Sequence, residues 1–70
     1  MKILQIGLGN FGRNHLRAWI ELGYKSGLRV AELNPLQHEV AIGLGLSREC
    51  LTTELIQFWN EADVIDVVVG

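Results

Sequence analysis

The sequence is poor in residues that cross-link a chain or bind a metal. Its 70 residues include one cysteine, Cys50, so an internal disulfide and a cysteine-based zinc site are both excluded. We expect this thiol to be a small buried side chain. The two histidines, His15 and His38, stand far apart without a companion ligand at close spacing. We therefore predict no metal site.

Long apolar runs and a strong charge of one sign are also missing. No uncharged apolar run approaches the ~18 residues that span a bilayer. Gly7 ends the first apolar run before the core of a signal peptide could form. These absences predict a cytoplasmic chain with no membrane partner. The net charge of −2 and the isoelectric point near 5.5 argue against a surface that binds nucleic acid.

The charges that are present are unevenly distributed. Residues 1–30 contain five of the six lysines and arginines, whereas the sequence from Glu49 onward contains five acids and no base. Two interpretations stay open at this point. The charges are ordinary solvated helix faces, or the basic end favours an anionic ligand near the first helix.

Short apolar runs alternate with stretches of helical spacing, which is typical of βαβ units. The pattern β-α-β-α-β-α-β predicts an α/β fold, a partial doubly wound parallel sheet with helices on both faces and strand order 3-2-1-4. Strands are predicted at 2–7, 28–33, 48–51 and 64–69. Helices are predicted to begin near Asn10, at Asn34-Pro35, and at Thr52 or Thr53. The third helix is expected to bury Leu55, Ile56 and Trp59.

The segment Gly7-Leu8-Gly9-Asn10-Phe11-Gly12 matches G-x-G-x-x-G where a predicted strand meets a predicted helix. Gly7 permits a tight turn, Gly9 lets a pyrophosphate approach the backbone, and Gly12 lets the helix pack closely on the strand. The free amides at the start of the helix, those of Asn10, Phe11 and Gly12, would then bind the phosphates. We predict a dinucleotide-binding turn.

Glu32 lies 20 residues after Gly12, at the predicted end of the second strand. An acid at this position can accept hydrogen bonds from both ribose hydroxyls of adenosine. A carboxylate would repel a 2′-phosphate, and no lysine or arginine lies between Val30 and Arg48 to offset it. NAD is thus favoured over NADP as the cofactor.

With these residues identified, the chain resembles a known family. Residues 7–15, GLGNFGRNH, are similar to the G-x-G-x-x-G-x-x-H opening of the glucose–fructose oxidoreductase and inositol 2-dehydrogenase family (Gfo/Idh/MocA). Residues 30–35, VAELNP, are similar to its V-A-x-x-D-P stretch, with Asn34 in place of the second acid. Residues 52–69 resemble its helix and strand ending in D-V-I-D-A-V-V-I.

The resemblance implies an NAD-dependent oxidoreductase that acts on a sugar, cyclitol or similar hydroxyl compound. It also implies a Rossmann domain followed by a substrate domain, so residues 1–70 would be only the first portion of the cofactor domain. The family's catalytic Glu-Lys-Pro motif and later histidine are not in this sequence, and we assign no catalytic residue here. His15 is expected to be structural, holding the loop or neighbouring backbone.

Two further alternatives stay open. The chain is the cofactor-binding fragment of such an enzyme, or it is a non-enzymatic module that senses NAD or another adenine nucleotide. The strand at 64–69 would be an exposed β-branched edge. It predicts either self-association or pairing with the remainder of a larger chain.

Overall fold

The computed structural model describes residues 1–68, which form a four-stranded, all-parallel sheet with two α-helices. The strands are β1 (Ile3–Ile6), β2 (Leu28–Ala31), β3 (Leu51–Thr52) and β4 (Val64–Val67), and the helices are α1 (Asn10–Glu21) and α2 (His38–Gly43). Their order in the sheet is β3-β2-β1-β4. The predicted α/β class and strand order are therefore confirmed. Neither helix in this part of the chain has the length and apolar character needed to cross a membrane.

One face of the sheet holds the main hydrophobic core. The pairing of Ile3 with Leu28 and of Gln5 with Val30 puts these four side chains on the same face. Both helices pack against that face, because successive right-handed crossovers in one direction leave their helices on one side. The core cluster joins residues of β1, β2, α1 and α2 with two loop leucines: Ile3, Leu8, Leu16, Leu28, Val30, Ala41 and Leu46.

Both helices end in the same way. After α1, the amide of Gly23 donates to Ile20 O and the amide of Tyr24 to Trp19 O, at 3.0 and 3.1 Å. After α2, Gly45 and Leu46 repeat this pair of bonds. This is the Schellman arrangement, which satisfies carbonyls that the helix leaves unpaired. It turns the chain sharply toward the next strand.

The prediction of a third helix is wrong. Residues 53–62 form consecutive turns and a short 3₁₀ helix (Trp59–Glu61), and Leu55, Ile56 and Trp59 are 42%, 78% and 45% exposed. The backbone bonds here span three residues and are long, from 3.2 to 3.4 Å. Phe58, in the same segment, is half-buried.

A helix this short depends on tertiary packing of its apolar face, because isolated helices of fewer than about 12 residues are marginal in water. In this segment the apolar side chains lie at the surface and form no buried stripe on the sheet. The backbone bonds that remain are those of successive tight turns.

Three strand predictions need smaller corrections. β3 covers only Leu51–Thr52, since Arg48–Cys50 forms a 3₁₀ turn in place of the predicted strand start. β2 ends at Ala31, and Leu33 is 69% exposed and takes no part in the core. β4 ends at Val67, and Val69 lies outside the described residues.

β4 is an edge strand, and its one charged residue, Asp66, does not prevent pairing with another chain. Edge strands commonly avoid pairing with other chains by carrying charges. The carboxylate of Asp66 is instead turned toward α1, where it accepts from Trp19 Nε1 at 2.9 Å. Val67, on the opposite face of the strand, is 61% exposed. Among residues 1–68, the outer edge of β4 is therefore unpaired, and its one charge is engaged by α1.

We predict concentration-dependent self-association through β4, measured by size-exclusion chromatography with light scattering. Val67→Lys should return the chain to a monomer, because a lysine on an edge strand opposes pairing. Ile56→Lys, at an equally exposed site outside the strand, is the control and should associate as the parent does. A monomer at every concentration, or equal effects of the two variants, would contradict the prediction.

Candidate functional site

The glycine turn, residues 7–12, follows β1 at the carboxyl edge of the sheet. Two of its three glycines are needed for the fold itself. Gly7 has φ +104°, a conformation that side chains disfavour, and a Cβ there would lie 2.5 Å from Val68 O. A Cβ on Gly12 would collide with the carbonyl oxygen of Gly7. Gly7 thus lies in a tight turn, as predicted, and the glycine at position 12 lets α1 lie close to that turn rather than to the strand itself.

Gly9 differs from the other two. It is the N-cap of α1, with φ −66° and ψ −163°, and it is exposed. This is extended backbone that every residue type can adopt. The backbone conformation therefore does not explain a glycine at this position.

The first turn of α1 presents backbone donors that the helix itself cannot pair. No side chain caps the helix at Gly9, and the first turn contains no acid. The first backbone bond of the helix runs from Arg13 N to Gly9 O at 2.9 Å. The amides of Asn10, Phe11 and Gly12 precede that bond, and Asn10 and Phe11 are exposed. These amides lie at the positive end of the helix dipole.

Glu32 lies beside this turn, as its spacing from the glycines predicts. Its Oε1 accepts from Leu8 N and its Oε2 from Asn34 N, both at 2.8 Å. The two amides fix the half-buried carboxylate between the glycine turn and the loop after β2. Each carboxylate oxygen keeps further lone-pair capacity for another donor. The site therefore presents an oriented anion next to a row of free amides.

His38 contacts the backbone of Glu32, a contact that the sequence does not predict. Its Nε2 lies 3.0 Å from the backbone oxygen of Glu32, and its ring is half-buried. The helix predicted to begin at Asn34-Pro35 starts instead with a 3₁₀ turn, Pro35–Gln37, and α2 follows at His38. Asn34 caps that turn as expected, since its Oδ1 accepts from Leu36 N at 3.0 Å.

Gln5 is a positioning residue that sequence reasoning missed. Its side chain is fully buried, and Nε2 donates to Gly7 O at 2.9 Å and to Gly12 O at 2.7 Å. The amide thereby ties the turn to α1. The available signal was a lone polar residue inside the buried strand Ile3–Ile6.

His15 has a structural bond, but its partner is a side chain on a distant strand. Its Nδ1 lies 2.9 Å from Asp66 Oδ2, the oxygen that also accepts from Trp19. The pair connects α1 to β4, in place of the expected contact with the loop or neighbouring backbone. Among residues 1–68, no three histidine, cysteine or acidic side chains are grouped as a metal site would need.

Comparison of the chain with protein-family models, with curated proteins and with solved structures gives no match. The function is therefore argued from the geometry of the turn and of Glu32.

We predict that Gln5→Glu destabilises the protein by about 3 kcal/mol at neutral pH. The variant keeps the shape of the side chain but places a carboxylate against the carbonyl oxygens of Gly7 and Gly12. Urea unfolding followed by circular dichroism measures the loss. The control is Gln37→Glu, the same change away from the turn, which should alter stability by less than about 0.5 kcal/mol. Equal stability of the two variants would remove the positioning role.

Proposed function

We propose that this domain binds NAD, with the pyrophosphate on the glycine turn and the adenosine ribose on Glu32. The observation that carries the proposal is the Glu32 carboxylate, held by Leu8 N at 2.8 Å beside the unpaired amides of α1. Both features contact the same ligand in a dinucleotide complex. Glu32 also follows Gly12 by 20 residues, the separation that dinucleotide-binding turns use for the acid on the ribose.

The turn fits a diphosphate on three counts. It offers the backbone donors of Asn10, Phe11 and Gly12 at a positive helix end. Gly9 has no backbone reason to be glycine, and a ligand that approaches its Cα supplies one. Arg13, the next residue of α1, is half-buried, and its Nε has no acceptor among the described residues. A cation at this point favours an anionic ligand.

Glu32 supports NAD over NADP. A carboxylate accepts hydrogen bonds from ribose hydroxyls but repels a phosphate on the 2′ oxygen. The base that follows in the sequence, Arg48, is paired with Glu39 at 3.0 Å and is thereby occupied elsewhere. Exposed apolar side chains come directly after Glu32, since Leu33 is 69% and Leu36 79% exposed. They would cover the faces of the adenine ring.

Within this proposal, residues 1–68 bind and orient the cofactor, and bound NAD supplies a hydride acceptor. The oxidoreductase role, with a sugar, cyclitol or similar hydroxyl substrate, rests on the family resemblance of the glycine turn. The same geometry would serve a module that only senses NAD. Conversion of a hydroxyl substrate by the chain, followed through NADH absorbance, would favour the enzyme.

We predict that Gly9→Val abolishes NAD binding without unfolding the domain. A valine side chain would occupy the space through which the diphosphate reaches the amides, while the extended backbone at this position accepts it. Calorimetric titration with NAD measures the loss, and circular dichroism checks the fold. Gly43→Val is the matched control, because a Cβ there meets nothing within 4 Å. Normal NAD affinity in the Gly9 variant would exclude the turn as the phosphate site.

Glu32→Gln should weaken NAD binding by about tenfold and narrow the preference for NAD over NADP. The amide keeps an oxygen for Leu8 N, but hydrogen bonds to a charged acceptor are the stronger ones. Removal of the negative charge also relieves the repulsion of a 2′-phosphate. Competition titrations with the two cofactors give both values, with the exposed Glu49→Gln as control. An unchanged ratio of NAD to NADP affinity would take Glu32 out of the ribose site.

A further inference from the structure

A second concave region lies at the amino edge of the sheet, opposite the glycine turn. It is a cleft of about 520 Å³ between the turn before β2 and the loop that leads into β3. Two basic side chains, Lys25 and Arg29, and two hydroxyl side chains, Ser26 and Ser47, line it. No acidic side chain among residues 1–68 lines it, and it is open to solvent over much of its surface.

Arg29 lines this cleft and also, with Phe58, an adjoining one that Glu61 lines. It projects from β2 and is half-buried. Its Nη1 donates to Leu28 O at 3.0 Å and lies 3.5 Å from Cys50 Sγ, and its guanidinium lies 5.8 Å from the centre of the Phe58 ring. Among residues 1–68, no carboxylate forms an ion pair with it. A partly buried charge that lacks a counter-ion is costly, and an anion would offset that cost.

Lys25, in the turn before β2, supplies a second cation to the lining of the cleft. Its Nζ lies 3.1 Å from the position that a Cβ on Gly45 would take, so the ammonium rests on the loop after α2. In the described part of the chain it forms no ion pair either. Ser47 follows in that loop, and its hydroxyl lies 3.4 Å from Cys50 Sγ. Two cations and a hydroxyl thus border one space.

We propose that this cleft binds a phosphate group, free or as a small phosphate monoester, between Lys25 and Arg29. A guanidinium and an ammonium are the cations that bind phosphate in proteins, and Arg29 is already held in place. The hydroxyl of Ser47 adds a neutral donor. The rest of the cleft has room for the organic part of a monoester. This site is separate from the glycine turn, so phosphate binding here can be tested independently of NAD binding.

Cys50 reports on occupancy, because it lines the cleft and is the only cysteine of the chain. The probes are inorganic phosphate and ribose 5-phosphate, each compared with potassium chloride at equal ionic strength. Both should slow alkylation of Cys50 by iodoacetamide, measured by mass spectrometry. Equal protection assigns the site to the oxyanion alone, and stronger protection by ribose 5-phosphate assigns it to a monoester. The Gly9→Val variant should be protected as the parent is.

Lys25→Gln should weaken protection about tenfold, because one charge-assisted contact is lost. Arg17→Gln removes the same charge from an exposed position on α1 and should leave protection unchanged. The amides of Gly45 and Ser47 should shift in NMR spectra on phosphate addition, in the Gly9→Val variant as in the parent. Protection no greater than that by chloride, or equal weakening by the two variants, would overturn the proposal. So would protection by an oligonucleotide or an acidic peptide but not by phosphate.

Discussion

The hydrogen bond from Leu8 N to the Glu32 carboxylate organises the carboxyl edge of this sheet. It joins the turn after β1 to the loop after β2, and the second oxygen extends the connection to Asn34 N. Hydrogen bonds to a charged acceptor are among the stronger ones in proteins. The same carboxylate therefore has two roles in the proposed site. It fixes the shape of the edge before any ligand arrives, and it keeps capacity to accept from a ribose.

The three glycines of the turn differ in the physical reason for their presence. Gly7 and Gly12 are required by the fold. Gly7 has a positive φ, and a side chain at either position would collide with a backbone oxygen. Their presence would be needed in any protein that folds this way. Gly9 lies in ordinary extended backbone and is exposed. Its backbone angles do not require a glycine, and under the NAD proposal its role is to let the diphosphate reach the amides.

Local patterns in the sequence predict the strands and both α-helices, and the connection rules of βαβ units add the strand order. The spacing from the glycines predicts the position of Glu32. The third helix could not be judged in this way, because a helix of that length depends on tertiary packing of its apolar face, and the side chains concerned lie at the surface. Gln5 left one signal, a polar residue inside an apolar strand. Its acceptors on Gly7 and Gly12, like the contact of His38 with the backbone oxygen of Glu32, depend on the folded loops.

The fold separates the basic residues that the sequence groups in its first 30 positions. The basic first half of the sequence suggested an anion near the first helix, and Arg13 does lie in the first turn of α1. Lys25 and Arg29, however, lie at the opposite edge, because the chain reverses after α1 and enters β2 from the amino end. One run of basic residues is thus divided between the two edges of the sheet. The glycine turn and the basic cleft are kept apart by the length of β2, so an anion at one edge need not compete with an anion at the other.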